Sequence, residues 1–140
     1  MPVRYEPFHR EHLGAILGLC QAQGWLSLPS DPARAQQALT APGVTTVVAV
    51  VADEVIGFAT VLSDGVLDAY LSALLVAEPH RGEGIGAGLL QTAYRRSGAT
   101  RVDLLAADGT DDFYARFPHR RFSGYRLHPD AALESAPGPA

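Results

Sequence analysis

The sequence predicts an α/β fold in the α+β sense, built on one mixed sheet. Two observations carry that prediction. Three segments rich in β-branched and apolar residues follow one another between residues 44 and 76, separated only by short polar turns, which is the pattern of an antiparallel meander. A strand–turn–helix–strand unit comes next, and its crossover helix makes the two flanking strands parallel.

Val3–Pro7 alternates weakly and reads as a first strand closed by its proline. Glu11 to Gln23 carries Leu13, Ile16, Leu17 and Cys20 at helical spacing, with Gly24 as the stop. Trp25, Leu26 and Leu28 form an apolar loop. Asp31 then offers a capping carboxylate and Pro32 a first-turn proline, so a second helix runs to about Thr40 and stops at Pro42–Gly43. Val44–Ala52 and Val55–Leu62 are expected as a hairpin about Asp53–Glu54, and Ser63–Asp64–Gly65 turns the chain into a third strand over Val66–Val76. A loop at Ala77–Arg81 leads to a helix from Gly84 to Arg96, ended by Gly98. Arg101–Ala107 reads as a strand, Asp112–Phe117 as a short helix and Arg121–Leu127 as a last strand. The expected order is β-α-α-β-β-β-α-β-α-β. A length of 140 residues suits one domain, expected over residues 1–130, with a frayed proline-containing tail over residues 131–140.

Composition narrows the function. Hydrophobic residues are 47% and charged residues 19%, which places the chain among globular proteins. All 11 cationic residues are arginine, and the net charge of −4 argues against general nucleic-acid binding. Cys20 is the one cysteine, so no intrachain disulfide or multi-cysteine metal site forms; it reads as a small core residue, and no metal is expected. No apolar stretch is long enough to span a bilayer, and Met1–Phe8 is strand-like with no basic-then-apolar leader. The expectation is a cytoplasmic protein with no membrane and no nucleic-acid partner. A homodimer is common for domains of this size, but no residue pattern marks an interface.

The most informative stretch is Val76-Ala77-Glu78-Pro79-His80-Arg81-Gly82-Glu83-Gly84-Ile85-Gly86-Ala87-Gly88. Glycines inside a helix cost about 0.8–1 kcal/mol each relative to alanine, so four at alternate positions need a reason. Backbone amides freed of side chains, at a helix N-terminus with its partial positive charge, cradle phosphate. The plain alternative is a connector that lets helix and strand pack closely. A nucleoside-triphosphate loop requires Gly-Lys-Ser/Thr, and the chain has no lysine. A dinucleotide turn finds its glycine spacing in Gly82, Gly84 and Ala87, with Asp103 about 20 residues on, but it normally follows the first strand of a repeated βαβ domain. Here three antiparallel strands precede it.

In this setting Arg81-Gly82-Glu83-Gly84-Ile85-Gly86 resembles the acetyl-CoA motif of the GNAT superfamily of N-acetyltransferases, Arg/Gln-x-x-Gly-x-Gly/Ala. Leu74-Leu75-Val76 and Pro79 resemble the strand and link that precede it, and Phe113-Tyr114-Ala115-Arg116-Phe117 resembles the family's tyrosine helix. The element order agrees from Val3 to Leu127.

The resemblance implies a GNAT-like mixed sheet with a splayed central strand pair and a bulge in the strand before the loop. It implies acetyl-CoA as co-substrate, its pyrophosphate held by the backbone of Arg81, Gly82, Glu83, Gly84, Ile85, Gly86 and Ala87. Its pantetheine arm would lie along Leu74, Leu75 and Val76 as an added strand. The implied reaction moves an acetyl group directly to a primary amine of a small molecule or a peptide, with Tyr114 donating a proton to the departing thiolate. The other reading of the same features is a non-catalytic CoA-binding sensor or regulatory module. It draws on the absence of a carboxylate near the end of the Ser72–Val76 segment, where many family members carry a base; Asp68 and Tyr70 are the nearest ionisable groups upstream. After the tyrosine helix the family usually continues Gly-Phe, whereas this chain has Pro118-His119, and proline cannot donate an amide. Trp25, Leu26, Leu28, Tyr70 and Tyr125 are candidates for the acceptor pocket. Arg116, Arg120, Arg121 and Arg126 read as a solvated basic face.

Overall fold

The computed structural model describes residues 2–25 and 28–128. Leu26 and the tail over residues 131–140 therefore lie outside the described residues. By internal contacts the chain divides into two compact units, Met1–Leu104 and Leu105–Ala140.

The first unit holds a five-stranded sheet in sequential order: β1 (Arg4–Pro7), β2 (Val44–Val51), β3 (Glu54–Ser63), β4 (Asp68–Val76) and β5 (Arg101–Leu104). Neighbours from β1 to β4 run antiparallel and β4 to β5 parallel, as the meander and the crossover require. Three helices accompany it: α1 (Leu13–Ala22), entered through a short 3₁₀ turn at Arg10–His12, α2 (Pro32–Thr40) and α3 (Ile85–Ser97). Asp31 caps α2 as its sequence position suggests, its carboxylate accepting the Arg34 amide at 3.1 Å.

Strand alternation divides the core between the two sheet faces. Ile16 and Cys20 of α1 and Leu39 of α2 pack with Val48, Val50 and Phe58 on one face, with Trp25, Leu28, Ala73 and Leu75 against them. The Trp25 and Phe58 ring centroids lie 6.0 Å apart. Burial pushes the Cys20 thiol pKa up, which suits the expected core residue. The buried Thr46 hydroxyl donates to the Leu39 carbonyl at 2.8 Å and lies 3.3 Å from the Thr60 hydroxyl, fastening α2 to the sheet.

Several boundaries differ from the sequence expectation. The β2–β3 hairpin turns on Ala52 and Asp53, both at positive φ (49° and 65°), with Val51 paired to Glu54. The turn therefore sits one residue earlier than Asp53–Glu54. The third strand begins at Asp68, not Val66. The Asp64 carboxylate accepts the amides of Val66, Leu67 and Asp68 at 2.8, 2.8 and 3.2 Å, holding Val66 and Leu67 in a turn despite their strand-forming side chains. β5 ends at Leu104, three residues short of the expected Ala107.

In the second unit one short helix, α4 (Asp111–Ala115), follows a turn at Thr110, whose hydroxyl donates to the Ala107 carbonyl at 2.6 Å. The expected last strand over Arg121–Leu127 does not form. Its alternation is strand-like, but a strand needs a ladder, and this segment pairs with none among the described residues. Phe122, Tyr125 and Leu127 stay mostly exposed.

Candidate active site

β4 carries an irregularity that organises the site. Thr60 is opposite Ala73 and Val61 opposite Leu71, so Ser72 is an extra residue, a β-bulge. The Ser72 hydroxyl donates to the Thr60 carbonyl at 3.2 Å and braces the bulge against β3. On the other side, pairing with β5 covers only Asp68 to Leu71 and ends at Leu71 opposite Leu104. Ser72–Val76 thus have no ladder on that side among the described residues. These are the bulge and the parted strand pair that the resemblance implied.

The direction of the backbone groups along this open edge follows from the ladder to β3. Antiparallel pairs alternate between hydrogen-bonded and non-hydrogen-bonded. The Ala77 amide donates to the Ile56 carbonyl at 2.8 Å, and the Leu75 carbonyl points at β3, 2.8 Å from where a Cβ on Gly57 would lie. Leu75 and Ala77 therefore spend their backbone groups on β3, and Leu74 and Val76 turn theirs outward. Of the three strand residues singled out in the sequence, two offer backbone to a ligand and the third holds the strand in place.

The turn after β4 continues this edge. Glu78–His80 form a single 3₁₀ turn, closed by the Arg81 amide donating to the Glu78 carbonyl at 3.2 Å. Gly82 and Gly84 both have φ of +81°, a conformation that costs a residue with a Cβ. Gly84 is the N-cap of α3. The first amides of a helix have no intrahelical acceptor. From Gly82 through Ala87, six consecutive amides donate to no protein group among the described residues. An anion with several oxygens fits such a row at a helix N-terminus, and the chain supplies no acceptor of its own.

Two glycines have packing reasons instead. A methyl on Gly88 would sit on the Tyr5 phenol oxygen, so this glycine lets α3 approach β1. A Cβ on Gly57 would meet the Leu75 carbonyl at 2.8 Å and a Leu89 methyl at 3.1 Å. Gly57 went unremarked in the sequence, because nothing in a lone strand glycine says which backbone approaches it.

Arg81 lies within this arrangement with its side chain already engaged. Its Nε donates to the Val76 carbonyl at 3.1 Å and its guanidinium also donates to the Gln23 side chain at the end of α1. The arginine ties the strand end to the first helix. His80 and Glu83 face each other across the turn at 3.7 Å.

Tyr114 belongs to the second unit, on α4. Its ring meets Phe113 edge-on at 4.9 Å, and Phe113 in turn meets Phe117 at 5.6 Å. Burial pushes the Tyr114 phenol above its ordinary pKa, so the group remains a proton donor throughout the neutral range. Arg116 and Arg120 lie over the Phe113 and Phe122 rings, with distances of 5.9 and 4.9 Å, and with Arg121 and Arg126 they are exposed to solvent. His119 bonds the Phe117 carbonyl at 2.8 Å in the turn after α4.

The other candidates are dispersed. Trp25 and Leu28 cover the core, and Tyr125 is 83% exposed. Asp68 pairs with Arg101 at 2.6 Å, which weakens its candidacy as a base. Tyr70 lines an open cleft on the sheet. No cluster of metal-ligating side chains occurs among the described residues.

The profile of the acetyltransferase (GNAT) family matches residues 10–119. The chain belongs to this family. Its fold agrees with solved members. A putative acetyltransferase from Deinococcus radiodurans R1 is 27% identical, with a TM-score of 0.72 over 91% of this chain and 88% of that one. A ribosomal-protein-alanine N-acetyltransferase from Brucella melitensis biovar Abortus 2308 has a TM-score of 0.74 at 17% identity, over 91% and 99% of the two chains. An aminoglycoside N-acetyltransferase in complex with CoA has a TM-score of 0.69 at 19% identity, over 90% and 95%. No curated protein matches the sequence. The expected family, mixed-sheet class and acetyltransferase activity therefore stand. No helix among the described residues of this GNAT protein is long and apolar enough to cross a membrane.

Proposed function

We propose that this protein transfers the acetyl group of acetyl-CoA directly to a primary amine of a small molecule or a peptide. The observation that carries the reading is a pair of unspent backbone stretches on one strand-to-helix connection, the outward-facing Leu74 and Val76 and, after the turn, the amides of Gly82 to Ala87. It offers an extended edge for the pantetheine arm and a cradle for the pyrophosphate. Acetyl-CoA supplies the activated acyl group.

The Leu74 and Val76 amides pair with the arm and can polarise the thioester carbonyl at the bulged end of the strand. Arg81 contributes by holding the Val76 carbonyl and α1 in register. Tyr114 is the proton donor in this reading, on the strength of its place in the tyrosine-helix motif and a phenol kept protonated by burial. The acceptor must attack as a neutral amine. No carboxylate lies on β4 after Asp68, so water takes its proton.

A thiol-release assay over an amine panel, run beside calorimetric titration with CoA, tests the reading. Thiol release that depends on both acetyl-CoA and amine is the expected result. CoA binding without turnover on any amine, unchanged by Tyr114→Phe, would instead make the chain a CoA-binding module.

A further inference from the structure

The cleft on the sheet has a makeup that names the kind of acceptor. It has a volume of about 390 Å³ and lies within the first unit. Val44, Leu62 and Tyr70 are register partners across β2, β3 and β4, and Asp103 of β5 is the partner of Tyr70. Partners in a ladder share a sheet face, so the four side chains form one row. Three are apolar or aromatic and the fourth is a carboxylate. Pro42 also lines the cleft. Leu62 is 44% exposed, so this floor is open to a ligand.

The charges around the cleft are unequal in their commitments. Asp64 is occupied by three backbone amides, and Asp68 holds the Arg101 guanidinium at 2.6 Å. Asp103 has no hydrogen bond or ion pair among the described residues, and with Arg101 already engaged it is the carboxylate left over. The row therefore presents an apolar strip that ends on a carboxylate with no direct partner among the described residues, which the Arg101 guanidinium reaches only through space.

Its place along β4 matters as much. Tyr70 opposite Asp103 is the pair just before the ladder to β5 ends. Leu74 is four positions beyond Tyr70, one of them the extra residue of the bulge, and a strand advances about 3.3 Å per residue, so the three remaining steps put the carboxylate roughly 10 Å along the strand from the proposed acyl position.

We infer that this cleft binds the far end of the acceptor, and that the preferred acceptor is a long-chain diamine or a similar amine with a second cation beyond an apolar spacer. The inference rests on the acetyl-transfer reading for the reacting end only. The spacer runs back along β4 and meets the apolar row at Tyr70, and Asp103 beside it takes the second ammonium.

The test compares 1,8-diaminooctane, 1,3-diaminopropane and octylamine with wild type, Asp103→Asn and Asp103→Glu, by calorimetric binding with and without CoA and by thiol release. Asp103→Asn should weaken 1,8-diaminooctane about fivefold, the range of a part-exposed ion pair. Octylamine and 1,3-diaminopropane should be unaffected, and Asp103→Glu should restore most of the loss. Equal effects on all three amines, no effect on any, or no measurable binding by any would overturn the assignment. Binding that discriminates as expected, without thiol release, would uphold the cleft and remove the acetyl-transfer reading. Thiol release that ignores Asp103 would do the reverse.

Discussion

Ala52 and Tyr114 show how much a single position carries. The β2–β3 hairpin holds Ala52 at φ +49°, a region that glycine enters freely and alanine does not. Ala52→Gly should therefore stabilise the protein, by roughly 0.5–1 kcal/mol, read as a higher midpoint in urea unfolding with the slope unchanged. Tyr114 makes a prediction of opposite character. A phenol whose folded pKa is raised contributes stability that is complete below its unfolded value, near 10, and is lost as pH rises through the folded value. Tyr114→Phe should remove that share of the alkaline loss. In catalysis the same change should lower kcat at pH 7 by about 10²-fold or more, with KM for acetyl-CoA little changed. A kcat equal to that of wild type would leave Tyr114 a packing residue. The glycine turn and the short helix that carries Tyr114 are legible in the sequence because each depends on local order. Gly57 and the outward turn of Leu74 were not, because both depend on which strand lies alongside.

At the scale of elements, the site is a strand end and a helix start joined by the single 3₁₀ turn between Ala77 and Arg81 and then by Gly82–Gly84. Gly57→Ala would press a methyl into the Leu75 carbonyl and Leu89, displacing β4 and α3 together. It should cost about 1–3 kcal/mol of stability and also weaken CoA, the second effect being visible in titrations well below the unfolding temperature. Gly84→Val separates the two effects differently. Space is open around Gly84, so the valine strains the +81° backbone of the helix cap and leaves the core intact. CoA affinity should fall roughly tenfold or more while the fold is kept, and unchanged affinity would mark the turn as a connector. The third strand shows why its boundary resisted a reading by alternation. Ser72 shifts the phase, so Ala69 and Leu71 share one face, while Ala73 and Leu75 pack on the other. A period of two read across Val66–Val76 then averages out to a continuous apolar run.

For the molecule as a whole, the antiparallel meander, the crossover and the helices were readable because hydrophobic period and turn chemistry agree there. Arg121–Leu127 was misread as a strand because its period is right and its partner is missing. Ligand linkage gives the global test of the site. Backbone exchange in deuterated water should be slowest in the buried centre of β2 and β3, and fast at Gly82–Ala87, whose amides have no protein acceptor. Saturating CoA should protect those six amides, and it should raise the melting temperature as any ligand specific to the native state does. Protection elsewhere, with none at the turn, would place CoA in another part of the molecule.

The tie from Arg81 to Val76 and Gln23 also has a chemical consequence. Thioesters acylate amines, and a lysine in that place would set a nucleophile beside the thioester of the proposed reaction. A guanidinium is planar and delocalised, without an amine's free lone pair, and does not compete. With no lysine anywhere in its 140 residues, the chain has no side-chain amine to compete with the acceptor. Prolonged incubation with labelled acetyl-CoA should leave every side-chain nitrogen unlabelled.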